Sequence, residues 1–109
     1  MADVLGAFEQ AVLLAVLRLG KEAYGRSILQ EVQRRLRRDV AAGAIYATLD
    51  RLEEKALISS RLGTGTIVRA GRPRRYYAIE NAGVRALNES KATVENIWRG
   101  FRWPLKGRA

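Results

Sequence analysis

Residues 57–79 read LISSRLGTGTIVRAGRPRRYYAI. Leu57 to Leu62 alternates, with Ile58, Ser60 and Leu62 set against Leu57, Ser59 and Arg61, which is the period of a short strand. Gly63-Thr64-Gly65-Thr66 is a turn region, and Ile67 to Arg74 continues as a basic loop. Arg75 to Ile79 resumes strand character, with Tyr77 and Ile79 on one face and Tyr76 and Ala78 on the other. Two strands joined by a Gly-rich loop make a β-hairpin. Arg61, Arg69, Arg72, Arg74 and Arg75 fall on or beside it, and no acid lies between Arg61 and Tyr77.

Upstream of the hairpin the period changes to that of helices. The first helix is expected from about Leu5 to Leu19, with Gly20 as its stop. Phe8, Val12, Leu13, Val16 and Leu17 give helical spacing, and Leu14 and Leu19 widen the stripe. A helix apolar on most sides must be buried on most sides, so this one is expected to meet a second chain as well as its own core. The second helix, about Tyr24 to Arg37, turns Ile28, Leu29, Val32 and Leu36 inward. Arg34, Arg35, Arg37 and Arg38 crowd its end, where cations are favourable. A short connection, Asp39 to Ala42, leads to the third helix, about Gly43 to Lys55. Its inner face is Ile45, Leu49 and Leu52; its outer face carries Ala44, Tyr46, Ala47, Asp50 and Arg51.

Downstream, the last helix is expected from about Asn81 to Arg99 or slightly beyond. Val84, Leu87, Lys91, Val94, Trp98 and Phe101 follow alternating steps of three and four, a heptad seam that needs a partner. Pro104 ends any helix, and the residues after it form a basic tail. The fold class expected is mainly α with a small β-hairpin: a winged helix-turn-helix over residues 1–80, a C-terminal dimerisation helix over 81–103, and a tail over 104–109. The second and third helices form the helix-turn-helix, and the hairpin is the wing.

Composition narrows the chemistry. The 109 residues hold 20 Lys+Arg, 11 Asp+Glu, no His and no Cys, for a net charge of +9. Thiol catalysis, His-based acid–base catalysis, the common zinc sites and disulfides are thereby excluded. No cofactor or metal is expected. Most of the basic residues are Arg, the side chain suited to bidentate phosphate and guanine recognition. The excess points to nucleic acid; an anionic membrane surface and plain solubility are the alternatives. The longest apolar run, Ala11 to Leu17, is far short of the ~20 residues that span a bilayer. Asp3 and Glu9 precede it, unlike the basic start of a signal peptide. No membrane partner is expected, and the expected compartment is the cytoplasm.

The ordered motifs resemble the PadR-like family of bacterial transcriptional regulators. The likeness is carried by Leu13-Leu14-Ala15-Val16-Leu17, by Ala23-Tyr24-Gly25, and most strongly by the block Gly43 to Ile58. Gly71-Arg72-Pro73-Arg74-Arg75-Tyr76-Tyr77 and Ala82-Gly83 complete it. The resemblance implies a homodimer that binds operator DNA, usually as a repressor, with the last and first helices building the interface. It points to the short-tailed branch of the family. Two positions depart from the family pattern: Ala41 stands where a Ser or Thr is common, and Glu80 where a Thr opens the last helix. Each loses a cap worth about 1 kcal/mol.

The residues expected to meet double-stranded DNA are Tyr24, Ala44, Tyr46, Ala47, Arg51, Arg69, Arg72 and Arg74. Tyr46 offers a hydroxyl near the start of the third helix, though it is also placed to pack across the helix-turn-helix. Tyr24 either helps the second helix hold a phosphate or plugs the helix junction. Ala44 and Ala47 either meet thymine methyls or are simply good helix formers. Arg51 either reaches DNA or pairs with Asp50 and Glu54. Phe8, Val12, Leu87, Val94, Trp98 and Phe101 are expected at the dimer interface. There Trp98 either packs against the partner or lines a slot for a small planar aromatic effector. A protein-docking module without DNA binding is the competing function, but the third helix presents no large apolar outer face. Enzymatic activity has no nucleophile–base pair or phosphate-binding Gly loop to rest on.

Overall fold

A computed structural model describes residues 4–63 and 73–108. Helix α1 spans Ala7–Leu19 and runs into a 3-10 turn at Gly20–Glu22. Helices α2 (Gly25–Leu36) and α3 (Ala42–Glu54) follow, then strands β1 (Ile58–Leu62) and β2 (Arg75–Ile79) and helix α4 (Asn81–Trp98). The fold is a winged helix-turn-helix followed by a C-terminal helix. The expected elements are all present, with ends displaced by one or two residues.

The displacements have local causes. Leu5 is not helical. Its N–H donates to Ser90 Oγ at 2.9 Å, and its carbonyl accepts from Gln10 Nε2 at 2.9 Å. Glu9 then caps α1 by accepting the Gly6 N–H at 3.2 Å. Gly20 ends α1 with a φ of +57°, which costs glycine little. Arg37 takes the left-handed conformation that closes α2, its N–H donating to the Gln33 carbonyl at 2.8 Å. Ala41 and Glu80 stand before α3 and α4 without a side-chain cap bond.

Val12, Leu13, Ile28, Val32, Ile45, Leu49 and Leu52 are fully buried and make the core of the three-helix unit. Each contributes on the order of 1.5–3 kcal/mol through apolar burial. β1 and β2 pair antiparallel, from Ile58 opposite Ile79 to Leu62 opposite Arg75. Ile58 and Tyr77 turn into the core. The hairpin is also stitched to the entrance of α2: Tyr77 N–H donates to the Ala23 carbonyl at 2.8 Å, and Tyr24 forms an isolated bridge with Tyr76.

Helix α4 is held at its near end only. Gly83, Ala86 and Ser90 are its buried residues. A Cβ at Gly83 would run into the Leu57 carbonyl oxygen and lie 2.8 Å from Ile79 Cγ1, so the position requires glycine. Glu80 N–H donates to that same Leu57 carbonyl at 2.9 Å. Beyond Ser90 the helix extends away from the core. The molecule measures 59 × 32 × 20 Å, and its radius of gyration is 16.4 Å. A compact chain of this length has roughly 13 Å.

One expectation at the dimer interface, Val12, needs correction, and the α4 seam ends sooner than its spacing implies. Val12 has no exposed surface and belongs to the protomer's own core. Phe8 and Leu87 are partly buried against the same core. Phe101 does not extend the α4 seam: the helix closes at Trp98, and the chain turns through Gly100 at φ +94°.

Candidate nucleic-acid interface

The start of α2 is the anchor of the site. Tyr24 is its N-cap residue, and its N–H donates to Ser27 Oγ at 3.0 Å. Ser27 in turn donates to the Glu22 carbonyl at 2.6 Å. Gly25 comes next, and a Cβ there would lie 2.6 Å from Cζ and 2.7 Å from Cε1 of Tyr46. The missing side chain therefore lets the Tyr46 ring lie against the first turn of α2. Tyr46 belongs to the first turns of α3 and remains 49% exposed.

The hairpin supplies the cation. The Arg74 guanidinium sits 4.2 Å from the centroid of the Tyr24 ring. The other neighbour of Tyr24 is Tyr76, edge-on at 5.8 Å and 70°. Tyr76 carries Arg61 5.3 Å from its centroid. Tyr24, Gly25, Arg26, Tyr46, Arg74 and Arg75 line one cleft of about 250 Å³, to which no carboxylate contributes among the described residues. Unpaired N–H groups at the helix start, guanidinium groups and a phenol suit phosphate oxygens.

The outer face of α3 is as the spacing predicts. Ala44, Ala47 and Arg51 are exposed. Arg51 donates to Thr48 Oγ1 at 3.2 Å, and among the described residues neither Asp50 nor Glu54 pairs with it. Arg75 donates to Ser60 Oγ at 3.0 Å, and Ser60 donates to Glu53 Oε2 at 2.7 Å. Burial pushes the phenol of Tyr77 above its ordinary value. Arg69 and Arg72 lie outside the described residues.

Several contributors were not singled out from the sequence. Arg26 lines the cleft, and Tyr76 links it to Arg61; the alternation of β2 was the available signal for Tyr76. The arginine run at the end of α2 hides a different device. Glu31 is nearly enclosed, and its carboxylate accepts from Arg18 at 3.0 Å, from Arg35 at 2.9 Å and from Arg34. The bonds from Arg35 and Arg34 outweigh the effect of burial and hold the Glu31 carboxyl at about 2, against an ordinary 4.5. On α4, Ile97 is 68% exposed beside Val94 and Trp98, both 39% exposed. Leu14 and Leu17 of α1 are exposed as well.

No described helix is long and apolar enough to cross a membrane. Among the described residues no group of His, Cys, Asp and Glu side chains could hold a metal ion. The helix-turn-helix, the basic hairpin and the trailing helix define a winged-helix regulator of transcription. Residues 13–89 match the model of the transcriptional regulator PadR-like family, and the chain belongs to that family. It is accordingly a transcriptional regulator of a DNA-binding family, not an enzyme.

No curated protein matches the chain. Among solved structures it is similar to a PadR-like transcription factor from Bacteroides fragilis, at 31% identity over 82% of this chain and 81% of that one, with a TM-score of 0.65. A PadR family regulator from Eggerthella lenta is 28% identical over 82% of this chain and 75% of that one, TM-score 0.63. RosR from H. salinarum is 25% identical over 94% and 84%, TM-score 0.67.

Proposed function

We propose that the chain is a dimeric repressor that binds an inverted-repeat operator. Residues 1–80 form the reading unit, 81–103 the pairing segment and 104–109 a basic tail. α3 enters the major groove with Ala44 and Ala47 against thymine methyls and Arg51 reaching a base edge or phosphate. Tyr24, Tyr46 and Arg74 hold a backbone phosphate, and Arg69 and Arg72 of the wing follow the backbone further along. The observation that carries this reading is the convergence of Tyr24, Tyr46 and Arg74 on one cleft, lined by no acid among the described residues, beside the small exposed face of α3.

Pairing rests on Val94, Ile97 and Trp98, an apolar surface on a helix end that its own core does not cover. Phe8, Leu87 and Phe101 contribute to the same interface, and Trp98 serves packing between protomers. The place of action is the cytoplasm. Relief of repression by a small planar effector belongs to the same reading.

Selection of bound sequences from random duplex DNA at near-physiological salt tests the proposal, with sedimentation of the free protein beside it. The expected result is an enriched inverted repeat, half-sites about one helical turn apart, and a dimer at micromolar concentration. A monomer that enriches no sequence overturns it.

A further inference from the structure

Residues 99–108, which follow α4, belong to no helix or strand. Phe101, Trp103 and Leu105 alternate there with Arg102, Pro104 and Lys106. All three apolar side chains are exposed, Trp103 by 78% and Leu105 by 58%. Arg99, Arg102, Lys106 and Arg108 bring four positive charges, and residues 96–109 contain no acid. Glu95, the acid that precedes them, pairs with Lys91 at 3.4 Å. Among the described residues none of the four cations forms an ion pair. A run of exposed apolar side chains set among cations marks a contact surface rather than a solvated end.

Its place in the fold sets this segment apart from the DNA-facing cleft. Beyond the C-terminal end of α1, the Ala23 carbonyl accepts from Tyr77 N–H, next to Tyr24 of that cleft. Ahead of the N-terminal end of α1, Leu5 N–H donates to Ser90 Oγ of α4. The 13 residues of α1 hold these two points about 20 Å apart. From Ser90, helix α4 runs on to Trp98, a further ~12 Å of helix, before the segment begins. A duplex in the cleft therefore lies at the opposite end of α1 from this segment of the same protomer.

We propose that residues 99–108 dock on an anionic phospholipid surface. Trp103 and Leu105 enter the boundary between headgroups and acyl chains, a depth that suits an apolar ring with one N–H donor. Arg99, Arg102, Lys106 and Arg108 meet the lipid phosphates. Other partners match only half of this pattern. A second copy brings the same four cations and is repelled. A duplex attracts the charges but leaves Trp103 and Leu105 in water, and so does an acidic protein surface. Lying on a membrane surface requires neither a spanning run nor a signal peptide, so the lack of both in the sequence does not bear on it. The docking does not rest on the proposed function.

Flotation of the full chain with vesicles tests the docking, using phosphatidylcholine alone and phosphatidylcholine with three-tenths phosphatidylglycerol. At least tenfold tighter binding to the anionic vesicles is expected. The hairpin is cationic too, so two double variants separate the sources. Trp103→Ser with Leu105→Ser keeps every charge and is expected to weaken binding at least tenfold. Arg61→Ala with Arg74→Ala is expected to change it less than twofold. In Trp98→Phe, Trp103 is the sole tryptophan. Brominated acyl chains in the anionic vesicles are expected to quench its fluorescence by at least half, with or without a saturating DNA duplex. Equal affinity for the two kinds of vesicle overturns the proposal. So does undiminished binding of the Trp103/Leu105 variant, or a Trp103 that brominated lipid leaves unquenched. A duplex or polyglutamate that shifts Trp103 emission as far as the vesicles do makes nucleic acid or an acidic protein the partner, and overturns it as well.

Discussion

Around Glu31 three guanidinium groups converge on one enclosed carboxylate, whereas at the base of the hairpin Arg61 and Arg74 lie on the rings of Tyr76 and Tyr24. The residue type is the same and the outcome is opposite. At Glu31 the cations are engaged by a structural partner that ties α1 to α2. At the hairpin no carboxylate among the described residues engages them, and an aromatic ring costs the guanidinium none of its hydrogen-bond donors. A cation over an exposed ring gains only about 0.5–1 kcal/mol, so the group stays free to exchange that contact for a phosphate. Counting arginines thus says little about where a polyanion binds; what matters is which of them already face an acid.

The comparison can be broken at several points. Glu31→Ala leaves three cations crowded without a counter-charge and should have the largest effect, a loss of about 3 kcal/mol of stability. That is the low end for a broken buried ion cluster, because the arginines are half exposed. Thermal or urea unfolding measures it; an unchanged midpoint would mean that the cluster is ornamental. Acid titration examines the same group without mutation. The folded-state value of Glu31 is depressed to about 2, so its stabilisation is complete above 4.5 and is lost as pH falls from 4.5 toward 2. Wild type should lose about 2 kcal/mol more than Glu31→Gln across that window, by the same unfolding measurement.

The hairpin side should answer in the other currency. Arg74→Ala should weaken DNA binding roughly tenfold across all sequences and lower the salt slope by about one, with stability changed by less than about 0.5 kcal/mol. Anisotropy titrations from low to high salt would show it, and a sequence-selective loss would move Arg74 from phosphate to base. The smallest effect belongs to Arg34→Ala. It removes one exposed arm of a carboxylate that keeps two others, and should cost about 0.5 kcal/mol of stability. A loss as large as that of Glu31→Ala would make Arg34 the principal partner.

Much of this architecture was legible beforehand. The switch from helical to two-residue period locates the hairpin, and the alternation over Arg75–Ile79 coincides with β2. Gly20 marked the end of α1 because its backbone conformation is one that a side chain disfavours. The outer face of α3 followed from spacing alone. What could not be read was the direction of single side chains across elements. Val12 belongs equally to a stripe that faces inward and to one that meets a partner, and only its burial in the protomer's own core decides it. Glu31 falls between Ile28 and Val32, on the apolar side of α2, yet its third partner, Arg18, is thirteen residues away on another helix. Periodicity carries no information about such a meeting. The Tyr24–Tyr76 pair is hidden for the same reason, since 52 residues separate its members.

The weld at the root of α4 has one more consequence. Gly83 and Glu80 fix that root to the Leu57 carbonyl, while Val94, Ile97 and Trp98 answer to no core constraint. On the proposed function, partner choice and operator choice are therefore written in separate, independently mutable patches. After a gene duplication, a few changes near the tip would insulate the two copies from forming mixed pairs, and neither copy would have to relearn its target.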